Sequence, residues 1–238
     1  MRKFILLFLM LPLFGLAQNK NLISVSRYFP KEGKALQFEK ALAAHAQKYH
    51  KDDQKWRVNS IETGPDAGGY MVVEGPTNWE GLEKRGDMGE VHMKDWETSV
   101  QTLLNERYST MYLTYREDLS TVKFNDHAEK ISILHVFYKP GYFADVQANI
   151  LLMKKVWEAD ESSIAVYEAS LSGAPQFIIV TRYKNGLKER DTVRPPVAGR
   201  FDKANGDGSY AKFLSMIKES TDHQWSELLY HKPEMDSK

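Results

Sequence analysis

The sequence predicts an α+β chain of two tandem β-α-β-β-α-β repeats whose antiparallel sheets pack into one α/β barrel. Three observations carry this. Residues 23–33 (ISVSRYFPKEG) and 131–141 (ISILHVFYKPG) match at a constant offset of 108. The apolar stripe after each segment keeps the same spacing. The later elements then follow in the same order in both halves. Self-similarity at a fixed offset marks a repeated structural unit.

Both opening segments read as a strand running into a glycine-containing turn. Next, Phe38, Leu42, His45 and Tyr49 recur at i, i+4, i+7 and i+11, as do Val146, Ile150, Met153 and Trp157. Each set is one face of an amphipathic helix. Second strands are expected at 56–62 and 164–170, followed by the turns Gly64-Pro65-Asp66 and Gly173-Ala174-Pro175. Third strands follow at 70–74 (YMVVE) and 177–181 (FIIVT). The second helices carry Met93, Trp96, Val100 and Leu103 in one copy and Tyr210, Phe213 and Ile217 in the other. Fourth strands are expected at about 110–115 and 225–230. The domain reading is repeat one at 18–119, a polar linker at 120–129 and repeat two at 130–238. Each four-stranded sheet has helices on one face only, so its open face needs a partner layer. The other copy supplies one, as a monomeric pseudo-dimer or within a homodimer.

Arg2 and Lys3 precede an apolar run that ends in Gly15-Leu16-Ala17. This is the pattern of a secretory signal peptide at 1–17, and the run is too short for a bilayer span. The expectation is a soluble exported protein, periplasmic or secreted, with no membrane span after cleavage. Lys+Arg and Asp+Glu are both 32 in 238 residues, which argues against a nucleic-acid partner. There is no cysteine, so disulfides, thiolate metal sites and cysteine nucleophiles are excluded.

The strand–Gly–helix openings and the element order resemble the dimeric α/β-barrel branch of the ferredoxin-like folds. Arg27-Tyr28 ahead of Gly33 is loosely similar to the opening of NIPSNAP-type and antibiotic-biosynthesis-monooxygenase-type domains. The resemblance implies a list of functions: cofactor-free monooxygenases, haem-binding chlorite dismutases and dye-decolourising peroxidases, and proteins without known chemistry. Fold by itself does not choose among them.

In such a barrel the space between the sheets is the natural pocket. Alternation puts Ile23, Val25, Arg27 and Phe29 on one strand face, and Ile131, Ile133, His135 and Phe137 on its counterpart. Arg27 is thus a candidate anion clamp and His135 a candidate base or axial haem ligand. Tyr28, Trp56, Tyr70 and Tyr167 are candidates to line a cavity for a flat apolar ligand. Glu62 and Glu168 stand near the ends of second strands as a conceivable carboxylate pair. No metal site is expected. His45 and His50 are five residues apart, about 140° around a helix, and so do not share a face. His45 reads as a packing histidine. Asp202–Gly208 lacks the calcium-loop pattern and reads as a loop with Ser209 as N-cap.

The function expected from these residues is binding of a small, largely apolar molecule between the sheets. The first alternative is an oxidative enzyme, cofactor-free or haem-dependent. The second is an interaction protein using the polar insert at 184–209.

Overall fold

The computed structural model describes residues 20–238. The expected signal segment lies outside them.

The first repeat runs β1 (Leu22–Pro30), α1 (Ala35–Tyr49), β2 (Trp56–Ile61), β3 (Tyr70–Thr77), α2 (Trp79–Arg85), α3 (Glu90–Asp95) and β4 (Leu104–Tyr115). The second runs β5 (Lys130–Tyr138), α4 (Phe143–Ala159), β6 (Ile164–Ser170), β7 (Gln176–Arg182), α5 (Val197–Asn205), α6 (Ser209–Ser220) and β8 (Thr221–His231). The strand orders are β4-β1-β3-β2 and β8-β5-β7-β6. Pairing of β2 with β8 and of β4 with β6 joins the two sheets edge to edge into a closed eight-stranded barrel. Every pairing is antiparallel. Closure removes all four free sheet edges.

Alternation along the strands divides the core into an inner and an outer layer. Ile23, Val25, Met71, Leu113, Ile133, Tyr167, Ile178 and Leu229 pack inside the barrel. Outside, Phe38, Leu42 and Ala46 of α1 pack on Val58, Tyr70 and Val72. Val146 and Ile150 of α4 pack on Ile164, Val166 and Phe177. The helical stripes read from the sequence are therefore the faces that cover the sheets.

Four local expectations change. Between 90 and 103 the chain forms α3, a wide π-type turn over Trp96–Val100 and a 3-10 turn over Gln101–Leu103, not one regular helix. The wide turn brings Val100 and Trp96 against α1 and its sheet, while Met93 stays exposed. Strand β4 starts six residues earlier than expected, because its exposed polar half, Asn105–Thr110, pairs with β1 as well as its apolar half does. The polar insert contains α5, whose Phe201 packs with Phe213 of α6 and Val156 of α4. Ser209 is the first helical residue, not the cap. The Tyr210 amide donates instead to Asp202 Oδ1 at 2.8 Å.

Phe38 and Phe177 are fully buried on opposite halves. Phe38→Ala and Phe177→Ala are each expected to cost about 3–5 kcal/mol. Because one sheet runs through both halves, each should shift a single cooperative denaturation transition. Two separable transitions in urea would contradict a continuous barrel.

Candidate functional site

The barrel interior has two ends of different chemistry. At the end where β1 and β5 finish, a polar network fills the space. Arg27 (β1) makes a bidentate pair with Glu227 (β8): Nη1 donates to Oε2 at 2.8 Å and Nη2 donates to Oε1. Nη1 also reaches Asp66 Oδ2 in the β2–β3 hairpin at 2.8 Å, and Arg107 of β4 holds the other oxygen of Asp66. His135 (β5) places Nε2 at 3.0 Å from Glu227 Oε1 and Nδ1 at 3.1 Å from Gln176 Oε1 (β7). Trp225 stacks on the His135 ring at 3.8 Å. Arg27, His135, Gln176 and Glu227 are all buried.

Burial alone would raise the Glu227 carboxyl. The hydrogen bonds from Arg27 and His135 and the Arg27 charge outweigh it and hold the carboxyl below its usual range. Burial likewise pulls the Arg27 guanidinium down, but Glu227 and Asp66 reverse the sign and leave it raised. Buried charges persist only when paired in this way. Arg27 and His135, at equivalent places in the two repeats, both face the interior, and Glu227 bonds to each. Glu227, which joins them, was not singled out in the sequence. Its one signal is a lone acid on the row Trp225, Glu227, Leu229 of a strand.

The other end holds a cavity of about 320 Å³. Ile23, Val25, Met71, Val73, Leu113, Ile133, Ile178 and Val180 form its apolar wall. Its mouth carries Arg57, Asn59, His127, Tyr167 and Arg182. The 120–129 linker covers this mouth. Arg182 donates to the carbonyls of Lys123 and Phe124 and to Tyr167 Oη, and Arg57 donates to the carbonyl of Ala128. Neither arginine has a carboxylate partner in hydrogen-bonding or ion-pair range among the described residues. Arg182 is nevertheless only 5% exposed. Burial pulls Arg57 below its ordinary value. Desolvation at the mouth, followed by the charges of Arg57 and Arg182, brings His127 down to about 4, so it is neutral at pH 7. Asp236 lines the same cavity and acts on Arg57 from beyond ion-pair range, but its own oxygens are engaged by the Val58 amide and His231. Two guanidiniums held by neutral carbonyls beside a neutral imidazole thus form an anion-receptive mouth on a largely apolar chamber.

Of the aromatic candidates Tyr167 lies inside, and Trp56 touches the rim of the cavity while its ring packs in the outer cluster. Tyr28, Trp56 and Tyr70 face outward under the helices, because each neighbours an inward residue (Arg27, Arg57 and Met71) and alternation sends it to the other face. There Trp56 Nε1 donates to Glu74 at 2.7 Å and Tyr70 Oη to Glu39 at 2.8 Å. Glu62 accepts from Ser60, and Glu168 pairs with Arg116. The two acids are engaged separately, not as a pair. The expectation that His45 and His50 cannot serve one metal from one helix face rests on both being helical. Helix α1 ends at Tyr49 and His50 takes an extended conformation as its C-cap, so helical angular spacing does not apply. His45, His50 and His92 converge outside the barrel.

No known protein-family profile matches the chain, and no curated protein matches it. Solved structures do. An anthrone oxidase-like protein superposes with a TM-score of 0.58 at 12% identity, over 90% of this chain and 92% of its own. A proposed monooxygenase from Lactobacillus acidophilus NCFM gives 0.53 at 8% identity, over 91% and 95%. A variant chlorite dismutase from Candidatus Nitrospira defluvii gives 0.52 at 6% identity, over 91% and 94%. At these identities the likeness is one of fold: this chain has the ferredoxin-like dimeric α/β-barrel architecture, with both halves in one polypeptide.

Glu227→Gln is expected to cost about 3 kcal/mol, the lower part of the range for breaking a buried pair, because Asp66 still faces Arg27. The folded carboxyl lies below its unfolded value. The stability it contributes is therefore full above about pH 4.3 and is lost as pH falls through the folded value. Urea midpoints measured from about pH 6 to pH 3 should fall for the wild type and be flatter for Glu227→Gln. Parallel pH curves would contradict this.

Proposed function

We propose that the protein is an oxidative enzyme that takes a small, largely apolar, enolisable or phenolic substrate into the cavity end of the barrel and uses O₂ as oxidant without a bound cofactor. The observation that carries this is the mouth: Arg57 and Arg182, neither with a carboxylate in ion-pair range among the described residues, stand beside His127 on a largely apolar chamber whose lining also includes Asp236. The substrate's apolar body would lie against Ile133, Ile178 and Val180. Its acidic proton would pass to neutral His127, and the charge left behind would fall between the guanidiniums. Anion formation would also raise the proton affinity of His127, since it offsets the two positive charges that depress it. The electron-rich anion is then open to oxidation by O₂. For a methylene substrate the balance is R₂CH₂ + O₂ → R₂C=O + H₂O, with one oxygen atom in the product and one in water. Two of the solved neighbours, the anthrone oxidase-like protein and the proposed monooxygenase, carry names consistent with this chemistry.

Haem does not fit the residue first considered for it. Both ring nitrogens of His135 are engaged and the ring is covered by Trp225. The cavity, at about 320 Å³, is at the low end of small-molecule sites.

Oxygen uptake with a panel of small phenols, enols and benzylic ketones tests the reading. Turnover with one labelled oxygen atom from ¹⁸O₂ in the product is expected. Arg57→Met and Arg182→Met should each lower kcat/KM about ten- to hundredfold, the value of one charge-assisted hydrogen bond. Saturable binding of these compounds with no oxygen uptake would instead make the protein a ligand carrier. Export is part of the proposal, and N-terminal sequencing from the native host should find Gln18 first. An intact Met1 would refute it.

A further inference from the structure

A second cluster lies on the outer face of the first repeat, across β2 from the cavity. Trp56 and Val58 of β2 face it, while Arg57 and Asn59 face the barrel. His45 comes from the buried stripe of α1, His50 from the cap of that helix, and His92 from α3. One ligand nitrogen from each lies within 4.8 Å of the other two. The Nε2 atoms of His45 and His92 are 3.1 Å apart. Two imidazoles bound to one tetrahedral ion at 2.0–2.1 Å would place their nitrogens about 3.4 Å apart. His50 stands past the last helical residue, and a shift of at most about 1.4 Å would bring it to that spacing.

Two further features point to an ion. Asp95 Oδ2 sits 2.9 Å from His45 Nδ1. A carboxylate there holds Nδ1 protonated and leaves the Nε2 lone pair aimed at the cluster, the usual support of a metal-bound histidine. In addition, His50 is 1% exposed, yet its Nε2 has no polar partner and its Nδ1 has only a long approach to Glu74, and His92 Nδ1 is also buried and unpartnered. The closest acid to His50, Glu74, is 3.4 Å from Nδ1, which leaves Nε2 free. A simple His45–His92 hydrogen bond would account for two rings and leave His50 unexplained. Orphaned buried polar atoms are costly. The acids that face the cluster, Asp95 and Glu74, are themselves paired with Lys48 and Arg85. Trp56 stacks on His50 at 3.5 Å and walls the site on the sheet side. The second repeat lacks the arrangement: Met153, Glu158 and Ile164 stand at the offset positions of His45, His50 and Trp56.

We propose that His45, His50 and His92 form a binding site for a divalent transition metal of the zinc class, with Asp95 as its positioning carboxylate. Imidazole ligands select Zn²⁺, Co²⁺, Ni²⁺ or Cu²⁺ over Mg²⁺ and Ca²⁺. Three protein ligands leave a fourth position for water or another small ligand.

The test is titration of chelator-treated protein with Co²⁺, read by visible absorption, and with Zn²⁺ in competition. One equivalent should bind and give the intense visible bands of tetrahedral Co²⁺. His92→Ala, on a partly exposed short helix, should lose the bands and weaken binding at least thirtyfold. Asp95→Asn should weaken it about tenfold by removing the support behind His45. Circular dichroism confirms folding of each variant, and His92→Gln replaces His92→Ala if the latter does not fold. Absence of saturable binding by the folded wild type, or wild-type binding by the folded His92 variant, would overturn the site.

Discussion

Each half of this chain makes a four-stranded sheet with two unpaired edges and one uncovered apolar face, and both deficits must be met together. Pairing β2 with β8 and β4 with β6 does so. The same hydrogen bonds that remove the edges bring the apolar faces together as the inside of a barrel. The contacts that cross between the repeats inside the barrel follow from that closure. Arg27 belongs to the first repeat and Glu227 to the second, 200 residues apart, and they share a network only because the sheets are one.

The interior then uses arginine in two ways. Arg27 is neutralised by Glu227 and Asp66, so that end of the barrel is a rigid polar plug. Arg57 and Arg182 are held by carbonyl and phenol oxygens, so their charge is oriented and only partly offset, by Asp236 acting on Arg57 from beyond ion-pair range. The first arrangement still carries the desolvation cost of burying charge, which the matched, hydrogen-bonded partners offset. The second keeps an electrostatic demand that an incoming anion can meet. The linker between the repeats supplies the carbonyls, so a connecting segment also shapes the mouth.

The repeats agree inside and differ outside. The paired positions of Arg27 and His135 both face the barrel interior. On the outer surface the first repeat gathers histidines around Trp56, while the second adds α5 and packs it with α6 on α4. Inner positions are constrained by two sheets at once. Outer positions are constrained only by the helix above them, which leaves room for one copy to acquire a chemical group that the other lacks.

Local pattern was enough for the elements and their repetition. The stripes at Phe38–Leu42 and Val146–Ile150, the turns and the alternation on β1 and β5 are encoded within windows of about ten to fifteen residues, and they put Arg27 and His135 at equivalent positions on one strand face without saying whether that face is inner. What local pattern could not reach depends on contacts between distant segments. An aromatic composition does not say which strand face each ring takes: Tyr28 and Tyr70 lie beneath helices, and Trp56 meets the cavity only at its rim. Glu227, Arg57 and Arg182 look like ordinary strand charges until closure turns them inward. His50 was separated from His45 by a helical angle that ends one residue too early, and His92 reaches them only through packing of α3 against α1. Periodicity is a property of neighbours along the chain, whereas a site is a property of residues that packing makes neighbours in space.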